Sequence, residues 1–399
     1  MPAAPPTAQA RRARAAVAAL FLTNGAVFFN LVPRYPELKA DLGVSNAVFG
    51  TAVAGAPLGA LVAGLLAGAA IRRLGSARVA ASGIALTGLV TLLVCFVPNW
   101  VTFAGVLFAF GALDAVVDVA QNAHGLRVQR LYGRSIVNSL HGLWSVGAVL
   151  GGLMGAAAAG LRLPLPVHLT ISAVLFSVVA LVAYRFLLPG AEDAERPAGR
   201  RNPGGRGWRE AFPGAAVRML AVLGLLAACG ALVEDAGESW GALFLSGDLG
   251  ADAATAGLAV VALQAAMTAG RLTGDRVVDR FGRRAVVRAG AVLAAAGMGA
   301  ALAVPSVPAA LAGFALAGLG FATVVPAAMQ AADELPGLPD GTGLTVVSWL
   351  LRGGFLLSPP LVGVVADLVS LRAGLLTVVA AGALTAVLAR ALPRREPGG

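Results

Sequence analysis

GRLTGDRVVDRFGRR, residues 270–284, packs two aspartates, five arginines and three glycines into fifteen positions between two long apolar runs. Charge at that density cannot lie in hydrocarbon, where each ionised side chain costs at least about 3 kcal/mol. The stretch therefore marks an exit from a membrane, and its interleaved acids and bases imply a task beyond solubility.

Outward from this knot, the rest of the chain carries the same message. Of its 399 residues 58% are hydrophobic and only 13% are charged, and the mean hydropathy is +0.82. Runs near the roughly 18–20 apolar residues that cross a bilayer recur throughout. That excludes a soluble chain of two or three domains. The 52 glycines suit helices that approach closely through small residues in lipid. A net charge of +10 might suggest nucleic acid, but the arginines punctuate the ends of apolar runs instead of gathering on one module, so no nucleic-acid partner is expected. Cys95 and Cys229 lie inside apolar runs, which leaves no disulfide framework. No metal-ligand spacing, phosphate loop or nucleophile constellation is present, so no cofactor and no metal are expected and an enzyme is disfavoured.

Twelve spans follow: 15–32, 47–71, 79–97, 101–123, 136–159, 167–188, 217–245, 254–274, 285–304, 307–331, 344–369 and 374–392. The basic and apolar N-terminus imitates a signal peptide, but without a small-residue cleavage site it reads as a tail and an uncleaved first span. One long polar connection, PGAEDAERPAGRRNPGGRGWREAFPG at 189–214, divides the spans six and six. The expected organisation is a cytoplasmic tail (1–14), a first bundle (15–188), a linker (189–214), a second bundle (215–393) and a short C-terminal tail (394–399). Arginines crowd the odd-numbered entrances and even-numbered exits, whereas the opposite side keeps Arg34, Lys39, Arg162 and Arg372. The positive-inside rule then places both termini in the cytoplasm of a plasma-membrane protein. The halves also echo each other. A shift of 207 residues sets Gly50 on Gly257, Arg73 on Arg280, Gly75 on Gly282, Gly111 on Gly318 and Gly147 on Gly354, the mark of a duplicated six-helix unit.

DRFGRR, residues 279–284, resembles the Asp-Arg-x-Gly-Arg-Arg loop of the major facilitator superfamily, and GAAIRRLGSAR, residues 68–78, occupies the position of its other copy. Span number, central loop and paired motif together extend the resemblance over the whole chain. It implies an all-α polytopic protein of twelve transmembrane helices in two pseudo-symmetric six-helix bundles. It also implies that Arg72, Arg73, Asp275, Asp279, Arg280 and Arg283 form a conformational latch at the cytoplasmic ends, since an acid can face a helix N-terminus and arginines can pair with acids of adjacent spans. The alternative is that the arginines only anchor topology. The first copy departs from the pattern, with Arg72 where the family places an aspartate.

Ionisable groups inside spans are functional by default. Asp114, Asp118 and Asn122 recur every four residues and share one face of span four. Asp114 lies roughly 20 Å and Asp118 about 26 Å from the outer entry. His141, about 8 Å into span five, reaches a depth similar to Asp118. Asp114, Asp118, His141 and Glu234 are proton-coupling candidates, against a purely structural hydrogen-bond reading. In span seven Glu234 is assigned to a cavity and Glu238 to the outer interface. Asn24, Asn30, Asn122, Asn138, Trp144, Asp235, Trp349 and Arg352 are substrate-cavity candidates. Gln264 is read as an interhelical contact, and His124 and His168 as edge residues without a special role. Ser358, Pro359 and Pro360 are expected to kink span eleven.

The phrases DVAQNAHG and HGLWSVGA are similar to a rhizopine- and sugar-transporter-like branch, and span five lacks the glycine-proline pairing of drug/proton antiporters. The expected activity is secondary active transport of a small polar organic solute by alternating access, coupled to protons or another ion, by a monomer in the bilayer. Efflux of hydrophobic compounds is the alternative reading, and a membrane-embedded enzyme or a transporter-like sensor the one from another class.

Overall fold

The computed structural model describes residues 7–133, 136–190, 214–335 and 342–392. Among them are twelve helices long and apolar enough to cross a membrane. They run Ala8–Leu42, Asn46–Gly64, Ser76–Phe96, Trp100–Tyr132, Ser139–Gly160 and Leu165–Tyr184, then Ala216–Asp248, Ala253–Phe281, Arg283–Ala303, Val307–Asp333, Thr342–Leu368 and Leu371–Ala391. Each overlaps its expected span. The first starts at Ala8 and not at residue 15, because Thr7 caps it by accepting from the Ala10 N–H and the following alanines and arginines favour helix. Arg14 at that end is anchored by Tyr132, whose hydroxyl accepts from Nη1 at 2.9 Å and whose ring lies under the guanidinium. The expected kink in span eleven takes a milder form: the helix continues from Thr342 to Leu368 with Pro359 and Pro360 inside it. Ser358 Oγ donates to the Leu232 carbonyl of span seven, so tertiary packing supports the interrupted turn.

The chain packs as two compact units. One comprises Met1–Val44, Thr51–Arg200 and Ala253–Gly257, the other Ser45–Gly50, Arg201–Asp252 and Leu258–Gly399. Large apolar side chains such as Leu66, Phe96, Leu181 and Leu368 remain exposed on the outer faces. In water such surface would be a liability; in a bilayer it is the solvent-facing surface.

Small residues set the helix spacing within each unit. Gly147 and Gly151 on span five lie directly on the Leu22 and Ala26 carbonyls of span one, and Gly111 on span four lies on the Ala56 carbonyl of span two. A Cβ at any of them would overlap backbone. The 207-residue shift reappears as equivalent contacts in the second unit, where Gly318 abuts the Leu263 carbonyl and Gly354 abuts Ala228. Gly75 and Gly282 even share one backbone conformation, φ 85° ψ 146° against φ 83° ψ 147°. Both turn the chain between two helices at a φ that strains other residues.

Candidate functional site

In the first unit, the four-residue glycine ladder of span five lets span one approach within backbone contact. That closeness brings Asn24 into a polar network spread over three helices. Asn24 Nδ2 donates to Asp114 Oδ1 at 2.7 Å. Its Oδ1 accepts from Trp144 Nε1 and from Gln121 Nε2, each at 3.1 Å. Gln121 Nε2 also reaches Asp118 Oδ1 at 3.4 Å. Asn122 Nδ2 donates to Asp118 Oδ1 at 3.0 Å, and its Oδ1 lies 3.1 Å from His141 Nε2. The edge of Phe21 packs on the His141 ring. A continuous path of polar atoms thus links Asp114, half-buried, to Asp118 and His141, both exposed.

Of the residues singled out in the sequence, Asn24, Asp114, Asp118, Asn122, His141 and Trp144 meet here. The imidazole reaches Asp118 through Asn122. Gln121 is an addition. It sits three positions beyond Asp118, so helical spacing alone could have placed it beside the acid. Asn30 lies elsewhere. It is fully buried, donating to Ser172 Oγ at 2.7 Å and facing His168 Nε2 at 2.9 Å. That geometry makes Asn30 an interhelical tie, and it buries His168 at the edge of span six where the sequence placed it. The side chain of Asn138 lies outside the described residues.

His124 is likewise interior. The Leu188 N–H donates to Nε2 at 3.1 Å, so Nε2 is the unprotonated nitrogen and Nδ1 lies 2.9 Å from Ser76 Oγ. It ties the start of span three to the chain leaving span six.

The second unit holds a denser cluster. Glu234, Asp235 and Glu238 of span seven are all buried. Glu238 was expected at the outer interface, because depth counted along one helix ignores what packs beside it. Span eight supplies that neighbour: Gln264 Nε2 donates to Glu238 Oε1 at 2.7 Å and to Glu234 Oε1 at 3.3 Å. Arg271 pairs with Glu234 at 3.2 Å. Asp235 Oδ1 accepts from Ser239 Oγ at 3.0 Å, while Asp235 Oδ2 and Gln264 Oε1 are buried without a hydrogen-bond partner among the described residues. Three buried carboxylates therefore lie close together on span seven, and the one guanidinium among them pairs with Glu234, an arrangement rich in acceptors. Arg271 had been absorbed into the charged knot. Its signal was present in the sequence, since Gln264, Thr268 and Arg271 fall on one helical face. Trp349 and Arg352 of span eleven lie on exposed surface of this unit.

Among the latch residues, Arg72 and Arg73 are exposed, as are Asp275 and Asp279, and Arg280 lies over the Phe281 ring at 5.4 Å. Arg283 forms a two-pronged ion pair with Glu334, at 2.7 and 3.0 Å, joining the start of span nine to the end of span ten. These hydrogen bonds hold the Glu334 carboxyl below its ordinary range. Among the described residues no group of three or more His, Cys, Asp or Glu is arranged to hold a metal.

Comparison with known proteins agrees with this architecture. The model of the Major Facilitator Superfamily matches residues 17–234 and 223–399. An uncharacterized transporter, y4wD, of Sinorhizobium fredii is 31% identical over 94% of this chain and 97% of its own. Membrane protein MosC of Rhizobium meliloti is 31% identical over 96% and 91%. Among solved structures, a bacterial homolog of the human lysosomal transporter Spinster superposes with a TM-score of 0.73 at 16% identity, covering 98% of this chain and 100% of that one. A D-xylose-proton symporter gives 0.70 at 16% identity, covering 96% and 98%. At such identities the two structures speak for the fold alone.

Proposed function

The chain belongs to the major facilitator superfamily, a family of transporters and not of enzymes, and from that premise we propose that it moves a small polar organic solute across the membrane by alternating access, driven by protons. The observation that carries the reading is the Asp114–Asn24–Gln121–Asp118–Asn122–His141 path in the first unit. A carboxylate made neutral by a proton is far cheaper to hold in apolar surroundings than a charged one. Proton uptake on this path therefore biases the equilibrium between the two states of the transporter. Two groups at one end of the path, Asp118 and His141, are exposed, and Asp114 lies deeper, so a proton has an entry and a destination.

Asn24, Gln121 and Asn122 supply neutral donors and acceptors, and Trp144 an aromatic face. That set suits hydroxyl- or amide-bearing solutes better than purely apolar ones. The similarity of DVAQNAHG and HGLWSVGA to a rhizopine- and sugar-transporter-like branch points the same way. The distribution of arginines supports cytoplasmic termini. The latch reading of Asp275, Asp279, Arg280, Arg72 and Arg73 extends the proposal to the conformational cycle. There, Asp279 would find a partner in the state opposite to the one in which it is exposed.

The experiment uses the purified protein in liposomes that enclose a pH-sensitive dye. Sugars, polyols, amino acids and organic acids are applied in turn as gradients. A solute that moves protons identifies the chemical class, and Asp114→Asn or Asp118→Asn should abolish proton movement while leaving the melting profile intact. Solute flux with no proton movement, or full coupling in both variants, would overturn the reading.

A further inference from the structure

The N-terminal copy of the loop motif, in which Arg72 replaces the expected aspartate, lies against a cavity of about 1010 Å³ in the first unit. Six arginines line it: Arg12 from the start of span one, Arg72 and Arg73 from the short helix Ala67–Leu74 that follows span two, Arg78 from span three, Arg127 from span four and Arg185 after span six. None of the described residues lining it is an acid. Arg127 is 1% exposed, and its Nη2 donates to the Pro189 carbonyl at 3.0 Å, so one guanidinium is fixed in the wall of the cavity. Gly75 at φ 85° turns the chain into span three, and no side chain caps that helix. Its first-turn N–H groups carry the positive end of the helix dipole towards the same cavity. The His124 tie between Ser76 and Leu188 holds the loop after span six in place as the opposite wall.

The rim is apolar. Leu74 is 56% exposed and Phe186 48%, with Leu181 and Val182 exposed just before them on span six. A guanidinium-lined hollow edged by exposed hydrocarbon at the end of a membrane bundle matches one ligand chemistry: a phosphate ester, with an acyl body lying along the helices beside it.

We propose that this cavity is a phosphate-binding site that takes the headgroup of an anionic phospholipid or a free phosphate. Arginine suits it because the planar fork binds phosphate oxygens in pairs, and the loss of the motif aspartate removes the acid that would otherwise compete. The site is independent of the transported solute. Its occupancy ties spans one, three, four and six and the short helix after span two together at one end of the first unit.

The test places the protein in nanodiscs of phosphatidylcholine with or without phosphatidylglycerol and reads lipids retained by native mass spectrometry. A parallel arm adds inorganic phosphate to pure phosphatidylcholine discs, against chloride of equal ionic strength, and reads the melting temperature. The variant combines Arg12→Gln, Arg78→Gln and Arg185→Gln, all at exposed positions. A charge-matched control combines Arg218→Gln, Arg288→Gln and Arg390→Gln, which lie outside the cavity. Each arginine near anionic lipid is worth about five-fold, so the variant should retain phosphatidylglycerol about 100-fold less well and the control much as the wild type does. Stabilisation by inorganic phosphate that the variant loses would assign the site to free phosphate. Equal lipid retention by variant and wild type, with no phosphate effect, would overturn the proposal. So would a site filled from within, revealed if replacing Glu192, Asp193 and Glu195 by Gln creates a lipid dependence absent from the wild type.

Discussion

Replacing Gly147 by alanine tests whether backbone contact between spans one and five is what assembles the polar path. The added Cβ would overlap the Leu22 carbonyl. A carbon needs about 3.5 Å from its neighbours and this one would meet the oxygen at 1.9 Å, so the two helices must part by roughly 1.5 Å. Trp144, one turn from Gly147, donates to Asn24 at 3.1 Å. A shift of that size carries the pair to about 4.5 Å, beyond hydrogen-bond range. Two energies then compete. Alanine in a helix gains about 1 kcal/mol over glycine, whereas overpacking costs about 1–3 kcal/mol. Gly105 and Gly353 isolate the first term, because a Cβ at either meets nothing within 4 Å. Gly105→Ala and Gly353→Ala should therefore melt at or slightly above the wild type. Gly147→Ala should melt below Gly105→Ala by about 1–3 kcal/mol, roughly 2–12 °C for a unit of this size. Proton movement in liposomes should fall in Gly147→Ala and persist in Gly105→Ala, although neither touches a polar residue of the path. If Gly147→Ala melts together with Gly105→Ala, the seam is not close-packed and the account of how the path is assembled fails.

Two further outcomes follow from the second unit. Arg271→Gln should destabilise by about 1–2 kcal/mol, a figure reduced because Arg271 is one-third exposed, and Glu234→Gln in the same chain should recover part of that loss; additive melting shifts in the double variant would deny the coupling. Arg283→Gln should release Glu334, so that the stabilising contribution of the pair, at most about 1 kcal/mol for so exposed a contact, is seen above the ordinary glutamate range and disappears as pH falls through the depressed value. Melting curves of wild type and variant should then converge at low pH, and a constant gap across the titration would argue against the ion pair.

Much of the architecture could be read from one dimension because lipid imposes one-dimensional rules. A helix must satisfy its own backbone and stay apolar for about 20 residues, so the twelve spans are visible as runs. The repeat was visible as well, since glycines at contact positions cannot drift without overlap, and the 207-residue spacing reappears as equivalent contacts of Gly111 and Gly318. Asp114, Asp118 and Asn122 were recognisable as one face because helical periodicity is local. Their partners were not, because Asn24 lies 90 residues from Asp114 and Trp144 lies 120 from Asn24. Asn30 shows the same limit from the other side: polarity in a span suggested a cavity, and packing made it a structural tie.

Composition and hydropathy by themselves determined that this chain is a twelve-span membrane protein, because burial in hydrocarbon penalises every residue by its own chemistry wherever its neighbours are. Only the tertiary structure decided which buried acids face which donors. It moved Glu238 from the interface into a cluster with Gln264, drew Arg271 out of a loop motif to pair with Glu234, and closed six arginines of five segments around one hollow. Those outcomes depend on which helix faces pack together, and side-chain electrostatics act over a few ångströms between residues the chain keeps far apart.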